Sequence, residues 1–261
     1  MRQQIRFSSF GIGVELDLPD HPSLNADLAW VLPPQQRELT ETQADLRLEG
    51  EESNAGWCLT NLTTGAIHHA TSAAAFADVL EREIRHYIAL HAPGLVFIHA
   101  GAIEVDGSAV VIPGWSTSGK STLVRAFIER GCGYLSDEYA VIDRDGLIVP
   151  YARALSLRQP DGSRQHVPVE QLGGTALTRP LVARAILSLP RRTDLPAMMV
   201  AGRAHAATMI LISNTVAART RPQAVLAATA ELARHCDFLR GHRGEAGEAV
   251  EGVLEHLRGP R

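Results

Sequence analysis

The sequence predicts an α/β fold that is preceded by a small β-rich module. Three observations support this prediction. The apolar run "SAVVIP" leads into a glycine-bearing loop and then a helical segment, as a buried strand leads into a loop and a helix. Apolar residues recur at helical steps over residues 72–93. The first 70 residues instead contain short alternating runs broken by turn residues. We therefore assign residues 1–70 to the β-rich module and 71–261 to the larger domain.

Composition indicates an ordinary globular protein. Of the 261 residues, 45% are hydrophobic and 21% are charged. The formal net charge of −4 gives no reason to expect binding to nucleic acid or to an anionic membrane. The three cysteines are widely spaced without a CxxC pair, which favours reduced thiols over disulfides or a zinc site. No stretch is typical of a signal peptide or a membrane span, so we expect a soluble, cytoplasmic protein.

The first elements follow from short patterns. Alternation in "VELDL" and "DLRLE" predicts strands within residues 1–70. Beyond them, Ser72 is a suitable cap for a helix and Pro93 stands just past its end. One face of this helix is apolar, with Phe76, Leu80, Ile84, Tyr87 and Ile88 at three- and four-residue steps.

The central region reads as a hairpin, a loop and a helix. Asp106 and Gly107 suit the tight turn of a hairpin between two apolar runs. The second run enters the glycine-bearing loop, and "KSTLVRAFIERG" predicts a helix closed by Gly131. The segment "CGYLSDEYAVIDRDG" then predicts a strand, an acidic break, another strand and a turn.

The C-terminal part predicts more strands and then helices. We expect strands in "LIVPYARALSLRQPDGSRQ", with a turn at "PDG", and two buried strands in "RAILSLP" and "ATMILIS". The intervening "RRTDLPAMMVAGRAHA" has the composition of a loop or an edge. Helices are predicted in "RPQAVLAATAELARHC" and "EAGEAVEGVLEHL".

The loop after "SAVVIP" matches a phosphate-binding motif. Gly114, four further residues, and then Gly119, Lys120 and Ser121 fit G-x-x-x-x-G-K-[ST]. In such a loop the backbone N–H groups and the helix N-terminus surround the phosphates, the lysine bridges them and the hydroxyl binds Mg²⁺. The expected nucleotide-binding residues are Gly114, Trp115, Ser116, Thr117, Ser118, Gly119, Lys120, Ser121 and Thr122.

Lys120 is the single lysine among 25 basic residues, the other 24 being arginine. Placed at random, one lysine would fall at this position once in 25 times. Lysine carries a compact ammonium on a slim stem, whereas arginine carries a broad planar fork. A site that needs a point charge inside a tight loop would accept lysine and not arginine. The single lysine at this position therefore supports the motif assignment.

Two further features are candidates for catalysis. Asp137 and Glu138 follow a short strand and, in an open parallel sheet, would lie near the phosphates. One could accept a proton from an attacking hydroxyl while the other supports Mg²⁺, or the pair could be a solvated acidic turn. His99 lies inside the apolar run "LVFIHAGAI", where a lone histidine is most often a core residue.

Residues 95–143, from "FIHAGAIEVDG" through "GWSTSGKST" to "YLSDEYAVID", resemble the catalytic domain of HPr kinase/phosphorylase and the related serine kinases. The resemblance implies an α/β domain of the HPr kinase and phosphoenolpyruvate carboxykinase type. It implies Asp137 as the base on a serine hydroxyl, Glu138 with Ser121 at Mg²⁺, and His99 near the catalytic carboxylate. It also implies ATP, or alternatively GTP, as the donor, and assembly into a homo-oligomer.

Three departures from the family pattern narrow this expectation. Thr117 stands where the family usually has glycine, and Glu138 stands where it usually has a second aspartate. No segment of the Glu-Ile-Arg-Gly type follows residue 145. Because the family uses that segment for HPr recognition and for reverse phosphorolysis, its absence favours a stand-alone kinase acting on a peptide serine, of the kind associated with modified-peptide biosynthesis.

Alternatives remain open at this point. The protein could phosphorylate a small metabolite, or it could be a nucleotide-binding regulator without phosphotransfer. Arg153, Arg158 and Arg243 could contact phosphate or acceptor, or they could be solvated arginines at strand edges.

Overall fold

The computed structural model describes residues 1–40, 43–114, 119–158, 164–192 and 194–259. The chain forms two compact units, Met1–Pro93 and Gly94–Arg261. Both contain helices and sheets, so the fold class is mixed α/β. Among the described residues, no helix is long and apolar enough to cross a membrane.

The first unit is a five-stranded sheet with two helices. The strand order is β1-β2-β3-β4-β5, with β2 and β3 parallel and the other neighbours antiparallel. The elements are β1 (Arg2–Ser9), β2 (Ile12–Pro19), α1 (Pro22–Val31), β3 (Leu46–Ser53), β4 (Gly56–Asn61), β5 (Ile67–Ala70) and α2 (Ala73–His91). The β-rich character of this part is confirmed, while α1 is a helix that the strand patterns did not predict.

Helix α2 has the predicted bounds and cap. The Ser72 hydroxyl accepts a hydrogen bond from the Ala75 N–H, and the helix ends at His91. On its buried face, the ring of Phe76 lies 5.0 Å from the ring of Trp57 on β4. Gly50 makes room for this packing, because a Cβ there would lie 2.7 Å from Phe76 Cζ. The helix therefore completes the first unit, and the boundary lies after Pro93 rather than after residue 70.

The second unit contains ten strands and four α-helices within the described ranges. Its strands are β6 (Val96–Val105), β7 (Ser108–Pro113), β8 (Gly133–Ser136), β9 (Tyr139–Ile142), β10 (Leu147–Val149), β11 (Leu155–Arg158), β12 (Arg164–Val167), β13 (Leu181–Ser188), β14 (Met198–Ala201) and β15 (Asp237–His242). Its helices are α3 (Lys120–Ile128), α4 (Ala204–Ser213), α5 (Pro222–His235) and α6 (Ala246–Arg258).

The main sheet of this unit has the order β10-β9-β6-β7-β13-β15-β14, and β8 also pairs with β6. Strand β7 is parallel to β13, and β13 is parallel to β15. Around β6 all neighbours are antiparallel, so the open parallel sheet expected around the acidic pair is wrong. The reason is local. The connections from β6 to β7 and from β8 to β9 are too short for the crossover that parallel neighbours require. Only the connection from β7 to β8, which contains α3, is longer.

Several predicted elements are confirmed. Asp106 and Gly107 turn the β6–β7 hairpin with φ values of 48° and 82°, the left-handed backbone that this turn needs. Strand β14 lies at the edge of the sheet, as the loop-or-edge composition predicts. Strands β11 and β12 pair antiparallel, while the "PDG" turn between them lies outside the described residues.

The segment "ATMILIS" is helical, so its prediction as a strand was wrong. A short apolar run has no periodicity that separates a strand from a helix. In α4 only one side of the run is buried, at Ala207 and Leu211, and Met209 is exposed. The Thr208 hydroxyl donates to the Ala204 carbonyl one turn earlier, a bond that needs helical geometry. Strand β15 was also missed.

One hydrophobic core holds α3 and α6 against the sheet. Buried side chains of both helices and of the strands form one cluster. Its members include Val110 and Leu187 on strands, Phe127 on α3, and Val250 and Leu257 on α6. Because α3 begins at the motif lysine, this packing fixes the helix that follows the phosphate-binding motif.

Candidate active site

Strand β6 lies between the start of the motif loop and the acidic pair. On one side, Ala100 pairs with Pro113 at the end of β7. On the other side, the Ala100 N–H donates to the Glu138 carbonyl at 3.2 Å. Adjacent strands lie about 4.8 Å apart, so the two segments on either side of one residue are separated by about 10 Å. The sheet thus brings together residues 25 positions apart in sequence.

The acidic pair sits in a turn that interrupts the pairing along β6. Strand β8 pairs with β6 up to Ser136, and β9 resumes at Tyr139. The Ser136 hydroxyl accepts hydrogen bonds from the N–H groups of Glu138 and Tyr139, at 3.0 and 2.9 Å. Ser136 is fully buried, so this turn is held from inside the protein.

Asp137 is a buried carboxyl with polar partners. It is 6% exposed, which excludes the interpretation of a solvated acidic turn for this residue. The Tyr134 hydroxyl lies 3.4 Å from its Oδ1, and the Ser121 side chain is close enough to lower the pKa of Asp137. The same Tyr134 hydroxyl lies 2.9 Å from the Arg153 carbonyl oxygen, which anchors the ring.

Burial raises the pKa of Asp137 above its ordinary value. The positive charge of Lys120 lowers this pKa, and the negative charge of Glu138 raises it. The net shift is upward, so desolvation outweighs the attraction of the lysine. A carboxylate with a raised pKa is a better proton acceptor than an ordinary aspartate.

We expect Asp137→Asn to stabilise the folded protein at neutral pH. The raised pKa means that the folded state binds this proton more tightly than the unfolded chain does. The Asp137 carboxyl therefore contributes fully to the free energy of unfolding below its unfolded-state pKa. This contribution is lost as the pH rises through its folded-state pKa. Each unit of pKa difference corresponds to about 1.4 kcal/mol in the free energy of unfolding.

Urea unfolding from about pH 4 to about pH 7 checks this expectation. The advantage of Asp137→Asn over the wild type should grow as the pH rises. Asp145→Asn, which changes an exposed aspartate in a turn of the same region, is the matched control and should show no such trend. If Asp137→Asn were less stable than the wild type at neutral pH, the ionised Asp137 would not be destabilising and the expectation would be wrong.

Lys120 opens α3 and is buried, with 9% of its surface exposed. The space around its stem is limited by β6. A Cβ placed on Gly101 would lie 2.5 Å from Val124 Cγ2 and 3.4 Å from Lys120 Cγ. Glycine at position 101 thus permits the close approach of α3 to the sheet, and the slim lysine stem runs along this contact.

Glu138 and His99 form a second pair beside Asp137. His99 Nδ1 lies 3.6 Å from Glu138 Oε1, and the His99 side chain is 22% exposed. Its ring packs against Tyr139 at a centroid distance of 4.8 Å. His99 is therefore next to the acidic pair, through Glu138, rather than enclosed among apolar core residues.

The ends of the motif loop are described, and its middle is not. The Gly114 N–H donates to the His99 carbonyl at 3.0 Å, which ties the loop's first residue to β6. Gly119 has φ +80° and precedes α3. Four of the expected nucleotide-binding residues lie outside the described residues: Trp115, Ser116, Thr117 and Ser118.

The donor set suits Mg²⁺ bound together with a nucleotide. Glu138 and Ser121 are both close enough to Asp137 to shift its pKa, Glu138 raising it and Ser121 lowering it, so the three oxygen-bearing side chains belong to one site. Within the described ranges there is no group of three or more His, Cys, Asp or Glu side chains that could hold a metal. Mg²⁺ commonly uses one or two carboxylates plus phosphate oxygens and water, and these residues fit that pattern.

Arg243 is a buried residue of this region. The sequence left open whether it contacts phosphate or acceptor, or is solvated. It is 2% exposed, so it is not a solvated arginine at a strand edge. Its Nη2 donates to the Gly119 carbonyl at 2.9 Å, at the start of α3. Arg153 is partly buried beside Tyr134, and the side chain of Arg158 lies outside the described part of the chain.

Comparison with known proteins finds a distant likeness to solved structures. No known protein-family model matches the sequence, and no curated protein matches it. Among solved structures, the Hpr(Ser) kinase/phosphatase from Coxiella burnetii is similar over 62% of this chain and 95% of that chain, with 16% sequence identity and a TM-score of 0.37. A likeness this distant does not support an argument about function, which therefore rests on the residues of the site.

Proposed function

We propose that this protein is a kinase that transfers the γ-phosphate of ATP to a hydroxyl, with Mg²⁺, and that the acceptor is a serine of a peptide or small protein. The observation that supports this proposal most is the contact between Asp137 and the motif helix. Lys120 and Ser121 both act on the pKa of this buried carboxyl, and they are the two side chains that the motif assigns to the phosphates and the metal.

Asp137 acts as the base in this proposal. It accepts the proton of the acceptor hydroxyl while the hydroxyl oxygen forms a bond to the γ-phosphorus. The bond between the γ-phosphorus and the β,γ-bridging oxygen breaks, and ADP leaves with that oxygen. Its raised pKa suits it to take this proton, because a proton acceptor works best when its pKa approaches the working pH.

Lys120 and the start of α3 stabilise the phosphates. The ammonium is a point charge held in a buried position, and the helix N-terminus adds partial positive charge. Ser121 and Glu138 are the residues that would hold Mg²⁺, which when bound neutralises part of the phosphate charge. His99 orients the Glu138 carboxylate from 3.6 Å.

Two other functions use the same site. A kinase for a small metabolite needs the same Asp137 and Lys120 but a different acceptor site. A nucleotide-binding regulator needs the motif but not the base. The burial of Asp137 favours phosphotransfer, because its raised pKa suits a carboxylate that accepts a proton, a step that nucleotide binding alone does not need.

The test is transfer of label from γ-labelled ATP, in the presence of Mg²⁺, to a library of serine- and threonine-bearing peptides. GTP as the donor, and free amino acids and sugars as acceptors, form parallel arms. We expect label on serine peptides with the wild-type protein. Transfer only to small molecules would replace the peptide acceptor by a metabolite, and nucleotide binding without any transfer would support the regulator instead.

A further inference from the structure

A cavity of about 530 Å³ opens beside the start of α3, and we call it the flank cavity. Gly119 and Thr122 of the motif region line one side of it, and Arg191, Arg243, Glu245 and Ala246 line the rest. A volume of this size lies within the range of about 300–1,000 Å³ that is typical of sites for small molecules. The flank cavity is therefore large enough for a ligand and directly adjoins the motif helix.

Arg243 brings a buried positive charge to this cavity. It is 2% exposed, and its Nε has no hydrogen-bond acceptor among the described residues. The two bonds that its guanidinium makes there go to backbone carbonyls, those of Gly119 and Gly244. The nearby Glu245 carboxylate is 2.9 Å from Arg191 and forms its ion pair with that residue.

A buried cation without a carboxylate partner is unfavourable unless a ligand supplies the negative charge. Burial, and next the charge of Arg191, lower the pKa of the Arg243 guanidinium, and the charge of Glu245 offsets only part of this effect. An arginine has five N–H donors in a planar fork that suits phosphate oxygens. The chemistry of Arg243 thus indicates an anionic group, and phosphate above others.

The two sides of the α3 start differ in what they face. Lys120 and Ser121 act on Asp137, where the transferred phosphate would react. Gly119 and Thr122, from the same turn, line the flank cavity instead. A nucleotide bound at this helix would therefore have its γ-phosphate toward Asp137 and its opposite end toward the flank cavity.

We propose that the flank cavity holds the nucleoside end of the bound nucleotide and that Arg243 donates to its α-phosphate. This inference rests on the proposed nucleotide-binding function. Pro190 and Ala246 offer apolar surface for the base and ribose, while Arg191 and Glu245 supply polar groups at the rim. Arg243 also holds the Gly119 carbonyl, so it joins the motif backbone to the ligand.

The experiment compares equilibrium binding of ATP, ADP and inorganic pyrophosphate to the wild type, Arg243→Met and Arg125→Met. Pyrophosphate can occupy the β- and γ-phosphate positions without reaching the flank cavity. We expect Arg243→Met to weaken ATP and ADP about 10- to 100-fold and pyrophosphate less than about threefold. Arg125 is an exposed, ion-paired residue of α3 that does not line the flank cavity, and its variant should change all three affinities by less than about threefold.

The unliganded Arg243→Met variant should melt at the wild-type temperature or above, because methionine replaces an uncompensated buried charge. Ala246→Leu provides an independent route, since it fills the flank cavity from α6 without touching the charge. It should weaken ATP and spare pyrophosphate.

Three results would overturn the inference. Equal weakening of ATP and pyrophosphate by Arg243→Met would mean that Arg243 only holds the loop through Gly119. An unchanged ATP affinity in both Arg243→Met and Ala246→Leu would mean that the nucleoside lies elsewhere. Equal affinities of the wild type for ATP and pyrophosphate would mean that no pocket binds the nucleoside, although the protein still binds phosphate. A wild type that binds none of the three ligands would instead refute the proposed function itself.

Discussion

Asp137→Asn is expected to lower kcat for phosphoryl transfer by about 10²- to 10⁴-fold, the range for loss of a general base. The asparagine keeps the size of the side chain and its contact with Tyr134, but it cannot accept the hydroxyl proton. The KM for ATP should stay within about threefold, because the base acts on the acceptor and not on nucleotide binding. Steady-state transfer to the peptide acceptor measures both constants.

Two comparisons test whether the loss of kcat is specific to Asp137 as the base. Asp145→Asn removes an exposed aspartate and should leave kcat unchanged. In the wild type, kcat/KM should fall on the acid side through the raised pKa of Asp137, at a higher pH than an ordinary aspartate would give. This acid limb should vanish from the residual activity of Asp137→Asn. A variant that keeps wild-type kcat would eliminate Asp137 as the base.

Lys120→Arg is expected to lower kcat/KM by about 10²-fold or more although the charge is conserved. Lys120 is 9% exposed, and its Cγ runs past Gly101, where α3 approaches β6 closely. A planar guanidinium is wider than an ammonium, so it would carry the charge to a different position in this buried site. The misplaced cation would no longer meet the phosphates in the geometry that transfer requires.

Lys120→Met separates shape from charge, because it keeps the slim stem and removes the ammonium. It should also lose activity, and the pKa of Asp137 should rise further because Lys120 holds it down. Arg125→Lys, at an exposed position of the same helix, makes the reverse exchange and should leave activity unchanged. Near-wild-type activity in Lys120→Arg would mean that the single lysine of this chain is a chance placement.

The sequence alone determined the features that depend on near neighbours. The cap at Ser72, the turn at Asp106 and Gly107, and the strand and the helix that flank the motif loop are local patterns, and the structure has them where the patterns predict. The failure at "ATMILIS" has the same origin, since seven apolar residues carry too little periodicity to choose a helix over a strand.

Only the tertiary structure decided which charged side chains are buried and what they face. Asp137 could have been a solvated turn residue, and Arg243 a solvated arginine, until the sheet enclosed both. Their surroundings come from other segments: Lys120 and Ser121 act on Asp137 from the start of α3, and Arg243 reaches the Gly119 carbonyl 124 positions away. Burial depends on contacts between segments far apart in the chain, and no local pattern at either residue encodes them.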